Sequence, residues 1–98
     1  MNIAKVIGTV VSTQKETTLE SLKFLLVQNV SIDGMLEPGL PLVAIDAVGA
    51  GMGEIIMYAS GSSARQTLVT KDRPVDATIM GIIDEITVDG KIRFRKND

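Results

Sequence analysis

The chain has 98 residues, enough for one domain with one core and too few for a second folded unit. A formal charge of −2 and a pI near 5.0 leave no broad cationic field for phosphate backbones or anionic lipid. With neither Cys nor His, disulfides, thiolate metal sites and any chemistry that needs an imidazole base are excluded.

Residues 3–12 are rich in β-branched side chains and are expected to form a first strand, with Ala4, Val6, Gly8 and Val10 on one face. A polar loop over 13–20 follows. Residues 22–32 read as a second strand with Phe24, Leu26 and Val30 facing together, closed by the turn signals Asp33-Gly34 and Pro38-Gly39. Two apolar runs of strand length, 42–48 and 54–59, flank a glycine cluster and are the third and fourth strands. The segment Gly61-Ser62-Ser63-Ala64-Arg65-Gln66 offers hydroxyl caps, so a short helix is expected from Ser62 or Ser63. Residues 76–88 read as one long fifth strand, Asp89-Gly90 as a turn, and 91–95 as a short final strand. Asn97 and Asp98 are expected to fray. The expectation is a mainly β fold: a five-stranded, OB-like antiparallel barrel with one short helix and a short C-terminal strand, one domain over residues 1–98.

The apolar share of 45% is high for so small a body, a hint that neighbouring subunits cover part of the surface. The start of the chain lacks a basic region followed by an apolar core, and no apolar run approaches a membrane span of ~20 residues. A soluble, cytoplasmic product is the expectation, with no membrane partner.

The segment Val48-Gly49-Ala50-Gly51-Met52-Gly53 invites comparison with a dinucleotide loop, but its spacing differs and residues 54–58 read as strand instead of a phosphate-binding helix. Glycines at alternate positions fit positive backbone angles or a close approach of backbones at a crowded axis. Ser62 and Ser63 have no base to activate them, and capping is the better reading. Arg65 sits poorly for the helix dipole and is expected to pair with a carboxylate, within the subunit or across an interface. Asp46 and Asp84 interrupt apolar runs, where each must find amides, a cation or water. Two such carboxylates are an acid–base pair only in company that is missing here, so no catalytic residue, metal or cofactor is expected. Lys91, Arg93 and Arg95 alternate on the last strand and Lys96 adds to them. Such a stripe on an OB barrel raises single-stranded nucleic-acid binding as a rival function, but only Phe24, Tyr58 and Phe94 are available to stack, and edge protection by charge explains it as well. A third reading, a small enzyme or ligand carrier, would use the glycine loop and Asp46.

Four segments in register carry a resemblance: Ile3-Ala4-Lys5-Val6-Ile7-Gly8-Thr9-Val10-Val11-Ser12-Thr13; Ala44-Ile45-Asp46-Ala47-Val48-Gly49-Ala50-Gly51-Met52-Gly53-Glu54; Gly61-Ser62-Ser63-Ala64-Arg65; and Val75-Asp76-Ala77-Thr78-Ile79-Met80-Gly81-Ile82-Ile83-Asp84. Together they resemble the EutN/CcmL family of bacterial microcompartment vertex proteins. The resemblance implies a structural homopentamer that caps five-fold vertices of a shell whose facets are hexameric proteins, with no nucleic-acid partner. It places Gly49, Ala50 and Gly51 near the five-fold axis or pore, and Gly61, Ser62, Ser63 and Arg65 at the subunit interface, with Asp46 and Asp84 as internal polar partners. The tail with Ile83-Asp84-Glu85 leans toward the catabolic branch of the family over the carboxysomal one.

Overall fold

Seven strands and two short 3₁₀ turns make up the chain in a computed structural model that describes residues 1–97; the Asp98 end lies outside the described residues. Strand β1 (Asn2–Val10) pairs antiparallel with β2 (Phe24–Asn29) on one side and with β4 (Ile55–Ser60) on the other. β3 (Leu42–Asp46) joins β2, and β5 (Ala77–Ile82) closes the cylinder between β3 and β4. The order β1-β2-β3-β5-β4 is a closed five-stranded barrel. One seam departs from the antiparallel expectation: β3 and β5 run parallel, because the 30 or so intervening residues, with β4, return the chain to the same end before β5 begins.

Alternation sets the inside of the barrel. Ala4 and Val6 of β1, Leu25 and Val27 of β2, Ala44 of β3, Ile56 and Tyr58 of β4 and Ile79 of β5 form the main core. On β2 the inward set is thus Leu25 and Val27, not Phe24 and Leu26. Sequence alternation alone is symmetric here, since both faces of this strand are apolar. The outward Phe24 is covered in its turn by a satellite cluster in which it packs with Leu19, Leu22, Ile45 and Val75.

The long run 76–88 is two strands, not one. Ile83 makes the last barrel bond, its amide donating to the Ile55 carbonyl, and β4 offers no partner beyond that point. The chain therefore leaves the barrel and pairs with itself: β6 (Glu85–Val88) and β7 (Lys91–Arg95) form a separate two-stranded sheet through the Asp89-Gly90 turn. The molecule is accordingly elongated, 46 × 23 × 23 Å.

The expected helix is a single 3₁₀ stretch, Gly61–Arg65, which begins one or two residues earlier than the hydroxyl pattern indicated. Ser60 occupies the N-cap position and no side chain caps it. The segment is held from below: Thr70 and Thr78, both fully buried, donate their hydroxyls to the Ala64 carbonyl at 2.7 Å each, and Ala64 is itself fully buried. Two charge-free bonds to one carbonyl fix this turn against β4 and β5.

Candidate functional site

Residues 47–53 leave β3 at one end of the barrel and return to β4, and two carboxylates shape the path. Asp46 Oδ1 accepts the backbone N–H groups of Val48, Gly49 and Ala50 at 3.0, 3.0 and 3.2 Å. At the other end Glu54 Oε1 accepts the Gly51 amide at 2.6 Å. This is the geometry by which an Asp side chain replaces a turn of backbone. Its chemical consequence is specific: the successive amides that would cradle a phosphate are already aimed at the protein's own carboxylates, so the glycine loop has no anion-binding nest to offer. Gly49 has φ +80° and Gly53 φ +82°, conformations that favour glycine.

The expected axis residues divide. Gly49 and Gly51 are exposed, whereas the Ala50 methyl is buried in the main core. Ala50 anchors the loop, and the exposed Val48 and Met52 present its apolar surface.

Asp46 has a side chain only 2% exposed, and besides its three amides it has Lys23 Nζ 3.5 Å from Oδ2. Asp84 is different. It is exposed, in the junction between β5 and β6, and its carbonyl accepts the Lys96 amide at 2.8 Å. The sequence placed it inside a strand because the apolar run continues past the point where the barrel ends. Arg65 is joined to neither aspartate: its Nη1 donates to the Val75 carbonyl at 3.0 Å, and among the described residues it forms no ion pair. The intrasubunit pairing expected for it is not present. Gly61, Ser62 and Ser63 are exposed beside it on the outside of the β4–β5 seam.

The basic stripe on β7 is largely matched by acids. Arg93 donates to both oxygens of Asp33 at 2.8 and 3.0 Å, Arg95 donates to Glu85 at 3.2 Å, and Lys96 donates to Glu54 at 2.6 Å. Sequence spacing had no means of finding these pairs, because Asp33 and Arg93 are 60 positions apart. Phe94 completes the attachment: its ring covers Gly34, where a Cβ would stand 2.9 Å from Phe94 Cδ1.

These contacts carry a pH dependence. The bond from Lys96, then the one from the Gly51 amide, hold the Glu54 carboxyl below its ordinary 4.5; the bond from Arg93 holds Asp33 below its ordinary 3.8. Lys96 is raised above 10.5 by Glu54. A lowered carboxylate contributes fully above its unfolded value and loses that contribution as pH falls through the folded one; the raised lysine contributes fully below its unfolded value and loses it as pH rises through the folded one. The attachment of the hairpin is therefore flat near neutrality and weakens below the ordinary carboxylate range. The Phe94 ring resonances should move as pH falls through the Asp33 and Glu54 titrations while the Ile79 methyls stay fixed. Phe94 resonances that hold still would contradict the assignment of these pairs as the attachment.

Three comparisons bear on this architecture. A sequence model of the family described as ethanolamine utilisation protein EutN/carboxysome matches residues 1–84. The carboxysome shell vertex protein CcmL of Gloeobacter violaceus is 45% identical, over 100% of this chain and 97% of its own length, and the solved structure of that CcmL superposes with a TM-score of 0.93 over the whole of both chains. The structure of GrpN, a pentameric microcompartment shell protein from Rhodospirillum rubrum, is 41% identical with a TM-score of 0.81, covering 90% of this chain and 99% of GrpN.

Proposed function

The chain belongs to the EutN/CcmL family, and on that premise we propose that it is a structural subunit of a bacterial microcompartment shell, a homopentamer that caps the five-fold vertices. The observation that carries the reading is the similarity to a shell vertex protein over the full chain, in sequence and in barrel geometry together. The physical role follows from geometry. A sheet of six-fold tiles is flat, and it closes only where five-fold units interrupt it; a ring made by one repeated heterologous contact closes when its rotation allows. The subunit supplies curvature and fills the corner, in contact with hexameric facet proteins in the cytoplasm.

On this reading Gly49, Ala50 and Gly51 form the loop toward the axis, with Ala50 as its anchor. Gly61, Ser62, Ser63 and Arg65 stand at the subunit boundary. The carboxylate expected for Arg65 would then come from a neighbouring subunit, since none of the described residues of its own chain provides one. Asp46 acts internally, as the residue that shapes the axial loop. Asp84 marks the exit from the barrel. The tail does not set this chain apart from the carboxysomal relative, whose match extends over all of it. The nucleic-acid alternative is weakened by the ion pairs that engage Arg93, Arg95 and Lys96.

The test is assembly with a facet-forming shell protein from the same organism, viewed by electron microscopy. With this chain present, closed polyhedra are expected; without it, open sheets or tubes. Closed polyhedra formed equally well in its absence would overturn the vertex role.

A further inference from the structure

The loop between β3 and β4 has two anchors of different kinds. Asp46 holds its first half from within the fold, with a side chain 2% exposed and three amides on one oxygen. Glu54 holds the second half and stands nearer the surface, its side chain 21% exposed. Its two oxygens serve different segments: Oε1 accepts the Gly51 amide and Oε2 accepts Lys96 Nζ, each at 2.6 Å. Both are short, charge-assisted bonds. One planar carboxylate thus spans the glycine loop and the C-terminal hairpin.

The surroundings leave that side chain as the movable part. The Gly53 amide donates to the Val6 carbonyl at 2.9 Å and the Val6 amide to the Glu54 carbonyl at 3.0 Å, so the backbone at Glu54 is tied to β1. At Gly51 a Cβ would stand 3.2 Å from Glu54 Oε1 and press on the carboxylate, so glycine there lets the carboxylate close on the amide. On the tail side the Lys96 amide donates to the Asp84 carbonyl at 2.8 Å, and Arg93 and Phe94 seat the hairpin on Asp33 and Gly34. Between loop and tail runs an open cleft of about 300 Å³, lined by Met52, Gly53, Phe94 and Asn97 among others, into which the Glu54 and Lys96 side chains reach.

We propose that Glu54 couples the C-terminal hairpin to the glycine loop: a seated hairpin places Lys96 so that Glu54 clamps the Gly51 amide, and a hairpin drawn off the barrel releases that clamp while the Asp46 half of the loop stays in place. A hydrogen bond weakens steeply once it is stretched or bent, so one carboxylate cannot follow Lys96 outward and keep Gly51. The coupling is reciprocal by linkage, and a change at Gly51 disturbs the seating of the hairpin in turn. Strands β6 and β7 lie beyond the residues 1–84 matched by the family model, whereas Glu54 lies within them, so the clamp ties the tail to a segment of the matched barrel. On the reading that directs residues 49–51 toward the axis, the seated hairpin sets the shape of the opening there. That consequence rests on the homopentamer; the coupling does not.

The test is amide hydrogen exchange of the full chain, followed residue by residue by NMR, with far-UV circular dichroism as the fold control. Lys96→Met should speed exchange at the Gly51 amide by about threefold or more, the scale of a coupling carried by one contact, and leave Val48, Gly49 and Ala50 unchanged. From the other end, Gly51→Ala should shift the Phe94 ring resonances. Arg95 pairs with Glu85 inside the hairpin, so Arg95→Gln should move neither. A Gly51 amide that exchanges at the wild-type rate in Lys96→Met, or as fast in Arg95→Gln as in Lys96→Met, overturns the coupling. If Gly51→Ala does not fold, Lys96→Met decides, since the Lys96 side chain is 37% exposed. A single-copy native mass together with the expected exchange overturns the axial consequence and leaves the coupling standing.

Discussion

Asp46→Ala should lose about 3 kcal/mol of stability, the sum expected when a buried carboxylate that accepts three amides is removed and its donors are left without a partner. The loop between β3 and β4 would lose its shape in the same step, because the Val48, Gly49 and Ala50 amides have no other acceptor among the described residues. Asp46→Asn keeps an oxygen in place and should lose roughly half as much, since hydrogen bonds to a charged acceptor are about twice as strong as neutral ones. Urea denaturation at fixed protein concentration measures both. Equal losses for Ala and Asn would show that charge, and not the set of amides, is what matters at this position.

Ile79→Ala should lose about 3–4 kcal/mol, in the range found when a fully buried large aliphatic residue is truncated and the surroundings relax only in part. Ile79 lies at the closing seam of the barrel, paired with Asp46 of β3 on one side and Tyr58 of β4 on the other. The cavity thus opens where the parallel and antiparallel halves meet. Ile82 of the same strand, only partly buried at the rim, should lose less when truncated. For a domain of this size the Ile79 loss corresponds to a fall in Tm of ~12–30 °C. A fall of only a few degrees would mean that the core at this level is loosely packed, contrary to the inward alternation of all five strands.

Much of this architecture is legible in the sequence because turn chemistry and strand length are local. The first, third, fourth and last strands fall near their expected positions, and the Asp89-Gly90 turn is where its residues require it. The parts that escape are those decided by partners distant in the chain. Nothing local tells Ile83 that β4 has run out, so the apolar run 76–88 reads as a single strand. Nothing local tells Leu25 from Leu26, because both faces of β2 are apolar and a second small cluster covers the outer one. The same limit applies to charge: Asp46 is recognisable as a buried carboxylate, but Arg65 has no carboxylate partner among the described residues, and two of the ion pairs join Asp33 to Arg93 and Glu54 to Lys96 across long separations. Gly8 shows the same limit: strict alternation puts it on the face of Ala4 and Val6, but the register shift between Val6 and Gly8 turns it outward beside Leu26.

The ring has an energetic reading as well. Exposed apolar residues are spread over several loops and the outer sheet, among them Leu40, Met35, Leu36 and Val43. A monomer of this size that leaves so much apolar surface in water is a natural subunit, since each square ångström covered contributes roughly 25 cal/mol. Assembly and folding are then linked: anything that binds the folded form alone raises its apparent stability, so the melting temperature of the chain should rise with its concentration.

Native mass spectrometry of the purified wild-type chain at moderate salt tests the central claim most directly. The account predicts one dominant species of five copies, retained on dilution to low micromolar concentration. A species of one copy at every concentration would contradict the homopentamer.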